Sequence, residues 1–161
     1  MTTDPTADAP AASDGAADWR AHLLETDAAV RGALARARRI AVVGIKPAAS
    51  GAPAFYVPEY AQRAGFEIVP VPTYYPELTE VLGAPVFRTV AAIPGGVDTV
   101  QLFRRPADVP GHLDDILAAR PRLVWMQLGI RHDATAEVLA RAGIDVVQDR
   151  CMLVELRAMG R

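Results

Sequence analysis

Four clusters in this chain hold the residue types that nucleotide chemistry needs. The first is Arg39-Ile40-Ala41-Val42-Val43-Gly44-Ile45-Lys46, an apolar run that breaks at glycine and ends on the chain's one lysine. An apolar strand that stops at glycine before a helix commonly opens a nucleotide-binding α/β unit, where backbone N–H groups and the positive helix end receive phosphate. Lys46 would add a point charge there, although charged side chains are also ordinary in surface loops. The second is Phe103-Arg104-Arg105-Pro106. Two arginines at the end of an apolar run suit bidentate phosphate binding, and at a helix start their charge opposes the helix dipole, which argues against a purely structural role. A solvated pair bound to Asp108, Asp114 or Asp115 is the alternative. The third is Trp125-Met126-Gln127-Leu128-Gly129-Ile130-Arg131-His132, where Gln127 is an amide among apolar neighbours and must find a partner in ligand or backbone. The fourth is Asp149-Arg150-Cys151, which holds the lone cysteine. Arg150 could lower the thiol's pKa, and Asp149, Arg150 and Glu155 could equally form an ion-pair cap on a closing helix.

These clusters need a scaffold that brings them together. Strand-like runs at Ile40 to Gly44, Phe66 to Val71, Val97 to Phe103, Leu123 to Leu128 and Ile144 to Val147 alternate with helical patterns at Ala54 to Ala64, Ala107 to Ala118 and Ala134 to Ala142. Apolar runs separated by helices indicate a parallel sheet covered on both faces. With right-handed crossovers the fold class is α/β, a doubly wound, mainly parallel, Rossmann-like sheet in three α/β/α layers. In such a sheet the ligand crevice lies beyond the carboxyl ends of the strands, where all four clusters fall. Asp18 is a candidate N-cap for a helix through Trp19, Leu23, Leu24, Val30 and Leu34, and Thr73 to Pro94 suggests a short helix near Glu77 to Leu82 and a short strand at Val86 to Arg88. Residues 1–17 read as a disordered tail and 18–161 as one domain with an N-terminal helix.

The composition narrows the classes of function. A hydrophobic fraction of 51% without a run near the eighteen or so residues of a membrane span indicates a soluble protein. The lone cysteine and the lack of a signal-like opening fit the cytoplasm. The formal charge of −2 includes Asp4, Asp8, Asp14 and Asp18, which precede the first basic residue, Arg20; without them the remainder carries +2. That is too little for nucleic-acid binding but enough for a local anion pocket. The first loop lacks both the G-x-G-x-x-G spacing and the G-K-[ST] ending of a P-loop. Val71-Pro72-Thr73-Tyr74-Tyr75-Pro76 stands where a nicotinamide enzyme would carry an acidic ribose clamp, which weakens an oxidoreductase reading. Phe55, Tyr56, Val57 and Tyr60 read mostly as packing against the sheet. No spacing suggests a metal site, and of His22, His112 and His132 only His132 lies near the expected crevice.

Taken together, the Ile40 to Gly44 strand, Pro70-Val71-Pro72, Val97-Asp98 through Phe103-Arg104-Arg105, Trp125 to Ile130, and Asp149-Arg150-Cys151 with Glu155 resemble the small CoA-binding domain family. These are Rossmann-like proteins similar to the amino-terminal domain of the succinyl-CoA synthetase α subunit, and the resemblance spans about Arg38 to Arg157. It implies coenzyme A or an acyl-CoA as ligand, with the pyrophosphate near Gly44 and the loop that follows from Ile45, and the adenosine by Val71 and Pro72; Lys46 is a phosphate candidate by its position and charge alone. Further contacts are implied from Phe103 and Arg104, with Arg105 beside them, and from Gln127, Gly129 and Ile130. The chain departs from the family pattern at Lys46, at Val71-Pro72-Thr73 and at Leu156. The expected function is CoA or acyl-CoA binding without catalysis. The alternatives are a subunit or accessory of a CoA-dependent acyl transferase or ligase, with a protein partner, and a nicotinamide-dependent oxidoreductase.

Overall fold

A computed structural model describes residues 18–161. Residues 1–17, read from sequence as a tail, lie outside the described residues. The chain first makes a 3-10 turn, Trp19–His22, and then α1 (Asp27–Arg36), β1 (Arg39–Val43), α2 (Pro53–Arg63), β2 (Glu67–Val71), β3 (Glu80–Val81), β4 (Ala84–Pro85) and β5 (Thr99–Leu102). After a 3-10 stretch, Pro106–His112, come α3 (Leu113–Ala119), β6 (Leu123–Met126), α4 (Asp133–Arg141), β7 (Asp145–Val147) and α5 (Met152–Ala158).

The principal sheet has the order β2-β1-β5-β6-β7, and each of its pairings is parallel. Alternation along the strands assigns their side chains to two cores. Ile40, Val42, Ile68 and Trp125 pack with Val30 and Leu34 of α1, Val57 and Ala61 of α2, and Met152 and Leu156 of α5. Ala41, Val43, Val100, Leu102, Val124 and Met126 pack with Ile116 of α3 and Ala136 and Leu139 of α4. Two helical layers therefore enclose one parallel sheet, which is the three-layer α/β/α arrangement expected from the alternating runs. Among the described residues no helix is long and apolar enough to cross a membrane.

Four expectations require correction. The strand expected at Val86 to Arg88 lies earlier, as β4, and the helix expected over Ala107 to Ala118 begins as the 3-10 stretch, where Pro110 has no N–H to donate, and is α-helical only from Leu113. The helix expected from Asp18 to Leu34 is divided: Asp18 caps only the 3-10 turn by accepting from the Arg20 N–H at 3.1 Å. Leu23 then bridges in parallel to Val146 on the open edge of β7, with Leu24 N–H donating to Val146 O at 2.9 Å. Sheet hydrogen bonding thus overrides helical periodicity, and Thr26 starts α1 by accepting from Ala29 N–H. The short helix expected near Glu77 to Leu82 is instead the antiparallel pair β3–β4, joined through Leu82 (φ 54°) and Gly83 (φ 74°). Two successive residues in the left-handed region make a hairpin turn.

Candidate functional site

The carboxyl ends of β1, β2, β5 and β6 meet in a crevice with two connecting lobes, and the backbone of β1 explains how they form. Gly44 has φ 85°, and its N–H donates to Val71 O at 2.9 Å while Phe103 N–H donates to Val43 O at 2.9 Å. A Cβ at Gly44 would lie 2.2 Å from Phe103 O and 3.2 Å from Arg104 Cδ. Only glycine lets the β5 loop approach this closely. The next anchor comes from proline: Pro58 inside α2 has no N–H for the carbonyl four residues earlier, Ala54 O. That freed carbonyl accepts the backbone N–H of Lys46 at 3.2 Å, which ties the Gly44–Lys46 loop to the first turn of α2.

The polar lobe, about 240 Å³, is lined by Gly44, Ile45, Lys46, Thr73, Tyr74, Tyr75, Phe103 and Arg104. Its outer wall is the pair Tyr74 and Tyr75, whose rings meet edge to face at 5.0 Å. Arg88 holds that turn by donating to the carbonyls of Tyr74, Tyr75, Pro76 and Leu78 at 2.9 to 3.2 Å. The second lobe, about 430 Å³ and mostly apolar, lies among Pro53, Tyr56, Val57, Phe103, Leu128, Ile130 and Cys151, with Lys46, Arg104, Arg105 and Gln127 supplying its polar groups. Lys46, Phe103 and Arg104 border both lobes and form the junction.

Arg104 is a positioned cation. Its Nε donates to His112 Nε2 at 3.0 Å and its Nη1 to Thr73 Oγ1 at 3.0 Å, so it joins the loops after β5 and β2. An imidazole nitrogen that accepts from a guanidinium is unprotonated, so His112 is neutral with its proton on Nδ1. Burial, then the charge of Arg104, pushes the His112 pKa below its ordinary 6.5. Arg105 is different: its side chain is 85% exposed, and its Nε donates to Asp108 at 2.8 Å, which holds that carboxyl below its usual range. Arg104 also stands 3.7 Å from Asp108, so both arginines reach that carboxylate; they differ in that Arg104 is anchored inward by His112 and Thr73 while Arg105 projects into solvent.

Gln127 is 4% exposed, and its Oε1 accepts from Met152 N–H at 3.2 Å and from Gln101 Nε2 at 3.2 Å. The backbone donor fixes the amide's orientation, and among the described residues Nε2 donates to no protein group. Ile45 is buried, with 1% exposure, and borders the polar lobe. Val71 and Pro72 are buried and line neither lobe; Thr73, Tyr74 and Tyr75 stand in the position assigned to them. Gly129 also lies off both linings, with φ 83° and its N–H donating to Asp149 Oδ1. His132 caps α4, its Nδ1 accepting from Thr135 N–H at 3.2 Å.

Three further sequence readings are modified. Tyr56, expected to pack against the sheet, is 47% exposed at the mouth of the apolar lobe. The Arg150 guanidinium is committed to Asp27 at 2.8 Å, Glu155 at 3.2 Å and Glu25 O, so the expected cap on α5 forms with Asp27 in place of Asp149. Sequence reasoning also gave Tyr56 and Pro53 no site role; Pro53 at the start of α2 was the available signal, because side chains of a first helical turn border the crevice.

Comparison with known proteins agrees with this architecture. The family profile described as CoA binding domain matches residues 38–157. The chain is similar to the uncharacterized protein YneT of Bacillus subtilis strain 168, with 32% identity over 127 residues, 79% of this chain and 91% of that protein. Among solved structures, cell-free ID.343 from Thermus thermophilus superposes with a TM-score of 0.75 at 37% identity, covering 84% of this chain and 99% of that one. A hypothetical protein from Pyrococcus horikoshii OT3 gives 0.76 at 28%, covering 85% and 94%. The dinucleotide-forming acetyl-coenzyme A synthetase 1 of Ca. Korarchaeum cryptofilum shares the fold, with a TM-score of 0.55 at 20% identity over 68% of this chain and 25% of the synthetase. A match across residues 38–157 takes in both lobes and every strand of the main sheet, and on that ground the chain belongs to the CoA-binding domain family.

Proposed function

We propose that this chain binds CoA or an acyl-CoA in the two-lobed crevice and carries out no catalytic cycle of its own. The observation that carries this reading is the pairing of a small polar lobe with a larger apolar one across a junction that holds Lys46 and Arg104. A ligand with a phosphorylated nucleotide at one end and an uncharged arm at the other matches that division. The residues present suit such a ligand. Lys46 and Arg104 supply charge for phosphate, Tyr74 and Tyr75 supply flat surface for a base, and the free Gln127 N–H suits an amide carbonyl of the arm. The nearest histidines already have other tasks, His112 in holding Arg104 and His132 in capping α4.

Calorimetry and thermal unfolding with CoA and short acyl-CoAs test the proposal. At about 100 times Kd a ligand of the folded state adds roughly 2.7 kcal/mol of stability. The absence of both heat of binding and a rise in Tm at millimolar ligand would overturn the reading.

A further inference from the structure

The apolar lobe contains one nucleophile that the binding reading leaves unused. Cys151 is the only cysteine of the chain; it is half-buried and lines that lobe together with Gln127, Leu128 and Ile130. The chain returns from β7 to put it there: Arg150 O accepts from Trp125 Nε1 at 2.8 Å, and Met152 N–H donates to Gln127 Oε1 at 3.2 Å. Cys151 therefore sits at the carboxyl end of β6 and not beyond the sheet edge. A second feature marks the same place as a ligand site: Gln127 is 4% exposed and lines the cavity, its Oε1 is taken by Met152 N–H and Gln101 Nε2, and its Nε2 donates to no acceptor among the described residues.

The sheet provides a ruler. β1 and β6 are separated by β5, two strand spacings or about 10 Å. A phosphate at Gly44 and Lys46 is thus about 10 Å along the sheet from Cys151. An extended pantetheine arm of some fourteen bonds spans about 17 Å, enough to cross the apolar lobe with slack. An arm of that length laid along the lobe would carry its amide carbonyls past Gln127 and its sulfur to the part that Cys151 lines.

We infer that Cys151 forms a mixed disulfide with the sulfur end of a pantetheine-type ligand, by exchange with that ligand's own disulfide. This rests on the CoA reading above. The Cys151 thiol gives its proton to solvent, and its Sγ attacks one sulfur of the ligand disulfide. The new S–S bond forms as the old one breaks, and the released half departs as a thiolate that takes up a proton. Cys151 is oxidised and the departing half reduced, so no other oxidant enters. The event is stoichiometric and reversed by thiols, which makes it a means of retaining the ligand under oxidising conditions.

The test uses the full chain, reduced and freed of reductant, in mildly alkaline buffer where thiols exchange readily. Intact mass is followed with CoA disulfide or with glutathione disulfide at equal concentration. The expected product carries one CoA less two hydrogens, is reversed by dithiothreitol, and forms about tenfold faster or more than the glutathione adduct. Saturating S-methyl-CoA, which cannot exchange, should slow it by about tenfold. Equal rates with the two disulfides, or no slowing by S-methyl-CoA, would show an ordinary accessible thiol and overturn the inference. Calorimetry with S-methyl-CoA separates the two claims: heat of binding without a CoA adduct overturns the exchange and leaves the binding reading intact. The absence of heat overturns both.

Discussion

The two edges of the parallel sheet use their polar groups in opposite ways. At the amino edge, Asp98 accepts from the backbone N–H groups of Arg38 and Arg39 and from Thr99 Oγ1, at 2.7 to 3.1 Å. Arg39 in turn bonds Glu67, Pro94 O and Gly96 O, and Arg122 donates to Arg36 O at 2.7 Å. Charge there is consumed in closing the fold. At the carboxyl edge Lys46 makes no ion pair among the described residues, and the Gln127 N–H has no protein acceptor. Lys46 is exposed and the Gln127 N–H opens on the crevice, so both keep their hydrogen-bonding capacity for a ligand at little cost to the free fold.

Substitutions should expose that contrast, and the largest effect belongs to the glycine that holds the crevice together. Gly44→Ala places a methyl 2.2 Å from Phe103 O at φ 85°, so urea unfolding should show a loss of more than about 3 kcal/mol. Gly51→Ala, at φ 62° with open space around it, carries only the left-handed cost of about 1 to 2 kcal/mol. Comparable losses at the two positions would refute the close approach of the β5 loop. Next, Asp98→Ala should cost about 2 kcal/mol at the amino edge, from the loss of a carboxylate that serves two backbone donors. Its affinity for CoA, measured by calorimetry on the folded variant, should remain that of the parent.

At the carboxyl edge the order reverses, with a small stability cost and a clear change in binding. Arg104→Ala should weaken CoA by about tenfold to thirtyfold, since a charged donor aimed at phosphate contributes roughly 1.5 to 2 kcal/mol. Lys46→Ala should follow, and Arg105→Ala should change affinity least, because that side chain is 85% exposed, makes the closer contact with Asp108 and does not line the polar lobe. Calorimetry on the three variants checks the ranking. A larger loss for Arg105 than for Arg104 would move the phosphate site outward onto the surface.

How much of this was readable in the sequence depends on the range over which each signal acts. The five main strands and two of the helices between them follow from local apolar runs, with shifts of a residue or two; the helix expected from Ala107 becomes α-helical only at Leu113, after the 3-10 stretch that contains Pro110. Gly44 was visible for the same reason, as a break in such a run. The split near Leu23 was not, because the bridge to Val146 is formed with a strand more than a hundred residues away. Nor could the sequence distinguish Arg104 from Arg105: the neighbours are alike locally, and only His112 and Thr73, brought in by the fold, set one of them inward. That Cys151 falls at the crevice was legible from its place after the last strand; the contacts that set it there were not, since they draw Arg150 to Asp27 and Glu155 and dock Met152 on Gln127.

The smallest expected effect is a pH dependence that couples the crevice to the fold. Neutral His112 holds Arg104, with Asp108 and Asp115 as the nearby acids; Asp115 itself accepts from the N–H groups of Val90 and Ala91 at 2.7 and 2.9 Å. Burial and Arg104 lower the His112 pKa, and the two acids oppose that shift only in part. The unfolded chain therefore takes up a proton near pH 6.5 before the folded chain does, and stability falls as pH drops below 6.5 until the folded pKa is passed. Above 6.5 the contribution of His112 is fully present. His112→Asn keeps a carbonyl acceptor near Arg104 and removes the titration, so the difference in urea midpoint between parent and variant should narrow on acidification. His22 and His132 remain in both proteins and cancel from that difference. A difference independent of pH would mean that Thr73 and Asp108 hold Arg104 without help from His112, and the crevice would then keep its cation in place without regard to the charge of His112.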